Sequence, residues 1–134
     1  MIQGLVLNKQ HMQEMLIHVA SRVPMEACGL LAGKNGRVEK VIGVRNQAQS
    51  PARFVMDPYE QLKAFDWIEA NGLDLVGIYH SHPAGPETVS ASDIAEAAYD
   101  AVQVIWSQGG SGWKARGFWI ESGRAREVML QITE

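Results

Sequence analysis

Leu73-Asp74-Leu75-Val76-Gly77-Ile78-Tyr79-His80-Ser81-His82-Pro83 is the stretch from which the architecture can be read. Its apolar run, Leu73 to Tyr79, is short, begins after Asn71-Gly72 and is stopped by Pro83, which describes a buried strand. Side chains on a strand alternate between faces, so His80 and His82 present two imidazoles on one side of the sheet. The chain then passes through a loop punctuated by Pro83, Gly85 and Pro86. Ser90-Ala91-Ser92-Asp93 follows and opens a helix-like run over Ile94 to Val102. Such a loop folds a carboxylate, Asp93, back toward the histidines. Two histidines and one aspartate make a three-ligand set with an open fourth position, which a catalytic zinc needs and a closed structural zinc site lacks.

Taken singly, these residues carry much less. A His-x-His pair is more often two satisfied core or surface histidines than a metal site. Asp93 alone reads as a helix-start carboxylate favoured by the macrodipole, and Ser90 as an N-cap. The combined pattern and a second stretch upstream shift the balance.

That second stretch is Pro24-Met25-Glu26-Ala27-Cys28-Gly29-Leu30-Leu31-Ala32-Gly33. From Cys28 onward it reads as a buried strand, closed by the turn Gly33-Lys34-Asn35-Gly36 and answered by a partner strand over Arg37 to Val44. Glu26 therefore stands at a helix-to-strand junction, where a glutamate is usually a solvated loop residue. Cys28 is most simply a small buried hydrophobe.

Farther out, Ile2 to Leu7 reads as a first strand, with Asn8 as N-cap of a helix over Lys9 to Arg22 whose buried face is Met12, Met15, Leu16 and Val19. His11 and His18 lie about two turns apart on this helix, too far to chelate one ion together. Pro24 ends it. Gln47 to Pro51 reads as a loop and Ala52 to Met56 as a short strand. Asp57-Pro58 then starts a helix reaching about Ala70, with Leu62, Phe65 and Ile68 on one stripe. Gln103 to Ser107, Trp113 to Glu121 and Arg124 to Ile132 read as strands separated by the turns Gln108 to Gly112 and Ser122-Gly123. The expected class is α+β; a curved mixed sheet flanked by the Lys9 and Pro58 helices, with the Ala91 helix beside the metal, is an expectation that rests partly on a family resemblance, since periodicity does not give strand order.

With 134 residues the chain has room for one domain, 1–134. Twelve basic against fifteen acidic residues, scattered along the chain, give no support for a nucleic-acid surface. The alternation of Trp113, Ala115, Gly117 and Trp119 with Lys114, Arg116, Phe118 and Ile120 is explained by a sheet packed on helices. One cysteine cannot form an internal disulfide, and no segment has the length and apolarity of a membrane span or a secretory leader, so a cytoplasmic protein without membrane attachment is expected.

Together these residues resemble the JAMM (MPN+) metalloprotease family. Its signature is a glutamate near the first helix, then His-x-His, seven intervening residues, Ser, two residues and Asp; here Glu26, His80-Ser81-His82, Ser90 and Asp93 stand at that spacing. Phe54-Val55-Met56-Asp57-Pro58 and Val76-Gly77-Ile78-Tyr79 add a likeness to the compact prokaryotic branch. Val89 departs from it, standing where many relatives have proline. The resemblance implies that His80, His82 and Asp93 hold one Zn2+ with water as fourth ligand, that Glu26 is the general acid and base, and that Ser90 donates to the oxyanion. It further implies hydrolysis of the amide bond after the C-terminal Gly-Gly of a ubiquitin-like or sulfur-carrier protein. The alternatives are a non-catalytic interaction module on the same scaffold and a zinc hydrolase of nucleobases. The latter needs a cysteine-rich ligand set that a chain with Cys28 alone cannot supply.

Overall fold

The computed structural model describes residues 4–95 and 97–134. In chain order the elements are β1 (Gly4–Asn8), α1 (Lys9–Arg22), β2 (Cys28–Lys34), β3 (Arg37–Val44), α2 (Pro58–Ala70), β4 (Asp74–His82), α3 (Ala91–Ala95), β5 (Val102–Gly109), β6 (Gly112–Glu121) and β7 (Arg124–Thr133). Of the strand expected over Ile2 to Leu7, Ile2 and Gln3 lie outside the described residues.

Local chemistry sets the helix starts. Asn8 Oδ1 accepts from His11 N at 2.8 Å while Asn8 N donates to His11 Nδ1 at 3.2 Å, a reciprocal cap that gives His11 its role. Asp57 caps α2 by accepting from the backbone amides of Tyr59 and Glu60, with Pro58 at the first helical position. Between β2 and β3, Asn35 (φ 52°) and Gly36 (φ 76°) form a two-residue turn whose left-handed backbone suits the twist of the hairpin.

The seven strands close on themselves in the order β1-β3-β2-β4-β5-β6-β7, with β7 returning to β1. Pairing is mixed: β1 with β3, β1 with β7 and β4 with β5 are parallel, and the other four pairs are antiparallel. Apolar side chains divide between two faces. Leu31, Tyr79, Val104 and Trp106 pack with Met15 and Val19 of α1, whereas Cys28, Leu30 and Ile78 pack with Ala64 and Ile68 of α2. His80 and His82 share parity with Ile78 and so lie on the α2 face. No helix among the described residues is long and apolar enough to cross a membrane.

Three local expectations are corrected. The stripe on α2 is Ala64 and Ile68 with Phe65 partly buried, while Leu62 is 59% exposed. Steps of three residues fall short of a full turn, so Leu62 and Ile68 stand about 120° apart around the helix. Ala52 to Met56 is not a strand; only an isolated bridge joins Met56 to Asn46. The Asn46 side chain occupies the backbone instead, accepting from Ala48 N and Val55 N and donating to the Arg53 carbonyl. Finally, the helix-like run over Ile94 to Val102 does not form as such: α3 stops at Ala95, Glu96 lies outside the described residues, and Val102 opens β5. There Val102, Val104 and Ile105 are buried in the sheet, where β-branched side chains pack well.

Gly29 shows how tightly the strands carrying the site are fitted. A Cβ there would sit against the Tyr79 ring and 2.6 Å from the Ile42 carbonyl oxygen. Gly29→Ala is therefore expected to lower stability by about 2–3 kcal/mol. Urea unfolding measures it, and an unchanged midpoint would show that the Tyr79 ring moves aside freely.

Candidate metal centre

The C-terminal end of β4 carries His80 and His82, whose backbones are held by parallel pairing with Ile105 and Ser107 of β5. Both rings are buried, and Phe54 stacks on His80 with centroids 4.4 Å apart. Their Nε2 atoms lie 3.2 Å from each other. Asp93, in the first turn of α3, reaches both: Oδ1 is 3.2 Å from His80 Nε2 and Oδ2 is 3.1 Å from His82 Nε2. His82 Nδ1 donates to the Pro86 carbonyl at 2.8 Å, which turns its Nε2 lone pair toward the centre.

Glu26 enters from the β2 side. Its backbone amide donates to the Ser50 carbonyl, and its carbonyl accepts from Asn46 Nδ2 at 3.0 Å. Ser81 faces away from the histidines and locks the next residue, accepting from Ala27 N at 2.8 Å while its own amide donates to the Ala27 carbonyl. Ligand atoms of Glu26, His80 and His82 all lie within 4.8 Å of one another. Among the described residues Glu26 Oε1 is buried without a hydrogen-bond partner. Ser90 caps the short helix: its hydroxyl accepts from Asp93 N at 3.1 Å, and its amide donates to Asp93 Oδ2 at 2.8 Å. The cap takes a lone pair of the hydroxyl and not its proton, and the same hydroxyl lies 3.1 Å from that of Ser92, where either oxygen can donate.

Burial sets the acidities, with the neighbouring charges modifying it. It raises the Glu26 carboxyl to about 7, with His82 pulling the other way and Asp93 adding to the rise. For His80 burial dominates and lowers the imidazole below its usual range. For His82 burial is outweighed by the Asp93 bond, the Pro86 carbonyl and the carboxylates nearby, so its affinity for a proton rises. Asp93 is half-buried, which raises its carboxyl, yet its bonds to both histidines and to Ser90 N hold it well below the carboxylate range.

The donor set fits a divalent cation. Two imidazole nitrogens and a carboxylate converge on one point, and an unpartnered carboxylate oxygen stands beside them. A cavity of about 230 Å³, walled by Phe54, Met56, Ile78 and Tyr99, opens at His80 and Asp93. Another of about 290 Å³ opens at Glu26.

The structure thus gathers all five residues singled out in the sequence into one neighbourhood. Sequence reasoning passed over Ser81 and Asn46. The strand alternation that puts His80 and His82 on one face puts Ser81 on the other, which is the signal that could have found it. A loop asparagine such as Asn46 carries no such signal.

A desampylase of Pyrococcus furiosus is 45% identical over 85 residues, covering 63% of this chain and 61% of that protein's length. A probable TtuB-protein conjugate cleaving protease of Thermus thermophilus is 38% identical over 122 residues, covering 90% of this chain and 78% of that one. The solution structure of a Desulfitobacterium hafniense protein superposes with a TM-score of 0.86 at 36% identity, covering 97% of this chain and 93% of that chain. The family described as prokaryotic homologs of the JAB domain matches residues 8–121, and the chain belongs to that family.

Proposed function

We propose that this protein is a zinc-dependent peptidase that hydrolyses the amide bond after the C-terminal Gly-Gly of a ubiquitin-like or sulfur-carrier protein. The observation that carries the reading is the meeting of His80 Nε2, His82 Nε2 and the Asp93 carboxylate within 3.2 Å, beside the unpartnered oxygen of Glu26. The names of the pyrococcal desampylase and of the Thermus protease for TtuB-protein conjugates point to the same class of substrate.

His80, His82 and Asp93 are the residues that would hold the zinc. Bound there, it would polarise the scissile carbonyl and acidify a water. Glu26 takes a proton from the attacking water and passes it to the departing nitrogen; a carboxyl raised to about 7 is suited to both halves of that transfer near neutral pH. Ser90, whose hydroxyl accepts in the helix cap and so does not spend its proton there, donates to the oxyanion of the tetrahedral intermediate. Phe54 packs over His80 and shields the centre from water on that side. A Gly-Gly tail suits such a site because glycine lets the backbone approach without side-chain clashes.

Purified protein is expected to carry about one zinc per chain and to cleave a sulfur carrier extended past its Gly-Gly tail. Chelator should abolish cleavage and zinc restore it. Cleavage undiminished by chelator overturns the metal assignment. Zinc-loaded protein inert on a panel of Gly-Gly carriers overturns the peptidase reading and leaves an interaction module on the same scaffold. Ser90→Ala is expected to keep its metal while kcat falls about 10²-fold, the loss seen when one oxyanion donor is removed. A change confined to KM would take Ser90 out of that role.

A further inference from the structure

The cavity that opens at His80 and Asp93 adjoins two of the three side chains that converge at the centre, and one of its lining residues stands apart from the rest. Phe54, Met56, Ile78 and Tyr99 give it apolar walls. Gln103 of β5 lines it as well, on the sheet face it shares with Ile78, its register partner on β4. This side chain is only 6% exposed, yet its carboxamide makes no hydrogen bond with any described residue. The neighbouring polar groups are engaged or lie at the rim. Gln61 Nε2 donates to the Tyr99 hydroxyl at 3.2 Å, the Ser92 hydroxyl is 3.1 Å from that of Ser90, and Arg53 is exposed. A carboxamide held against apolar side chains without a partner destabilises the fold, whereas a hydrocarbon of the same shape does not. A ligand that completes its hydrogen bonds accounts for it.

A carboxamide carries a donor beside an acceptor. It complements the N–H and C=O of a single residue, which in an extended chain point to the same side. The tail in the peptidase reading, on which this inference rests, is two glycines and so presents peptide groups alone. At the metal-binding end of β4 no sheet edge is open to it, because that strand pairs with β2 on one side and with β5 on the other. Side chains must then supply the bonds. Glu26, which gives its proton to the departing nitrogen, does not line this cavity, so the carrier side of the scissile bond faces it. On β5 Gln103 stands two residues before Ile105, the partner of His80, which is about 7 Å along the strand. Two residues of extended tail cover about the same length.

We propose that Gln103 is a specificity-determining residue whose carboxamide pairs with the N–H and C=O of one glycine of the Gly-Gly tail, in the cavity walled by Phe54 and Tyr99. The apolar walls strengthen those bonds by keeping water away, and the glycines let the backbone come close enough to make them.

The test pairs Gln103→Leu with N-methylation of the tail. Acetyl-Ala-Gly-Gly, the tail left after cleavage, is titrated by calorimetry into the purified protein, as are two analogues with sarcosine in place of one glycine or the other. The wild-type protein is expected to bind one analogue about tenfold less tightly than the parent peptide. Gln103→Leu should bind the parent about tenfold less tightly than the wild type does, and distinguish it from that analogue by less than about twofold. Cleavage of carriers extended past the same tails should show the same coupling in kcat/KM. In urea, Gln103→Leu is expected to unfold at the same or a higher concentration than the wild type, since the lost group had no partner in the free protein. Equal penalties from N-methylation in the two proteins overturn the inference, as does a wild-type protein that binds none of the peptides. A lowered urea midpoint with all three peptides lost together makes Gln103 structural and also overturns it. Coupled binding without cleavage of any carrier would sink the peptidase reading and leave the Gln103 assignment standing.

Discussion

Glu26→Gln is expected to take up zinc as the parent does and to hydrolyse its substrate about 10³-fold more slowly, within the range for loss of a general acid-base group. The amide has the shape of the carboxyl and no proton-accepting oxyanion, so the change removes proton transfer and little else. The backbone at this position is held independently of the side chain, through the Ser50 carbonyl and the Asn46 amide, and the ligand atoms of His80, His82 and Asp93 meet without it. Metal analysis and single-turnover cleavage on the same preparation check the two halves. Full activity in this variant would remove Glu26 from the reaction.

His80→Ala acts on the other half of the site. It is expected to lose the metal and, with it, all measurable cleavage, because one of two nitrogen donors disappears from a set of three. His80 is fully buried and stacked on Phe54, so the truncation also leaves a void and costs about 2–4 kcal/mol of stability. Circular dichroism separates the two effects: a folded His80→Ala protein without zinc is the expected result, and a folded one that retains a full complement of zinc excludes His80 as a ligand. These two variants therefore fail differently, one loaded and inert, the other empty.

Ser81 and Asn46 explain why the site holds its shape without contributing a ligand. Ser81 binds Ala27 through side chain and backbone at once, and Asn46 ties Glu26 to the segment around Arg53 and Val55. Strand β2 and the loop before α2 are thereby drawn to the end of β4, and the carboxylate of Glu26 is aimed at two imidazoles that belong to a strand 54 residues away in sequence. A buried polar group so bonded is costly to disrupt, since the partner left behind is also buried.

What sequence alone determined here was local. The caps at Asn8 and Asp57-Pro58, the turn at Asn35-Gly36 and the period-two alternation of β4 are all written in neighbouring residues, and the structure has α1 over Lys9–Arg22, α2 from Pro58, and both histidines on one face. The spacing from His80 to Asp93 was equally readable because one strand, one loop and one helical turn connect them. Tertiary structure decided what depends on distant partners. Closure of the sheet rests on β7 pairing with β1, residues more than a hundred positions apart that no periodicity connects. The stretch from Ala97 to Val102 reads as helical from its alanines, yet weak propensity yields to burial of Val102 and Val104 against β4 and β6. Leu62 is apolar enough for the core and turns outward because Ala64 and Ile68 set the phase of α2. The cavity beside Glu26 exists only once the end of α1, the end of β3 and the loop after it meet, since a cavity is a property of surfaces brought together and not of any segment read alone.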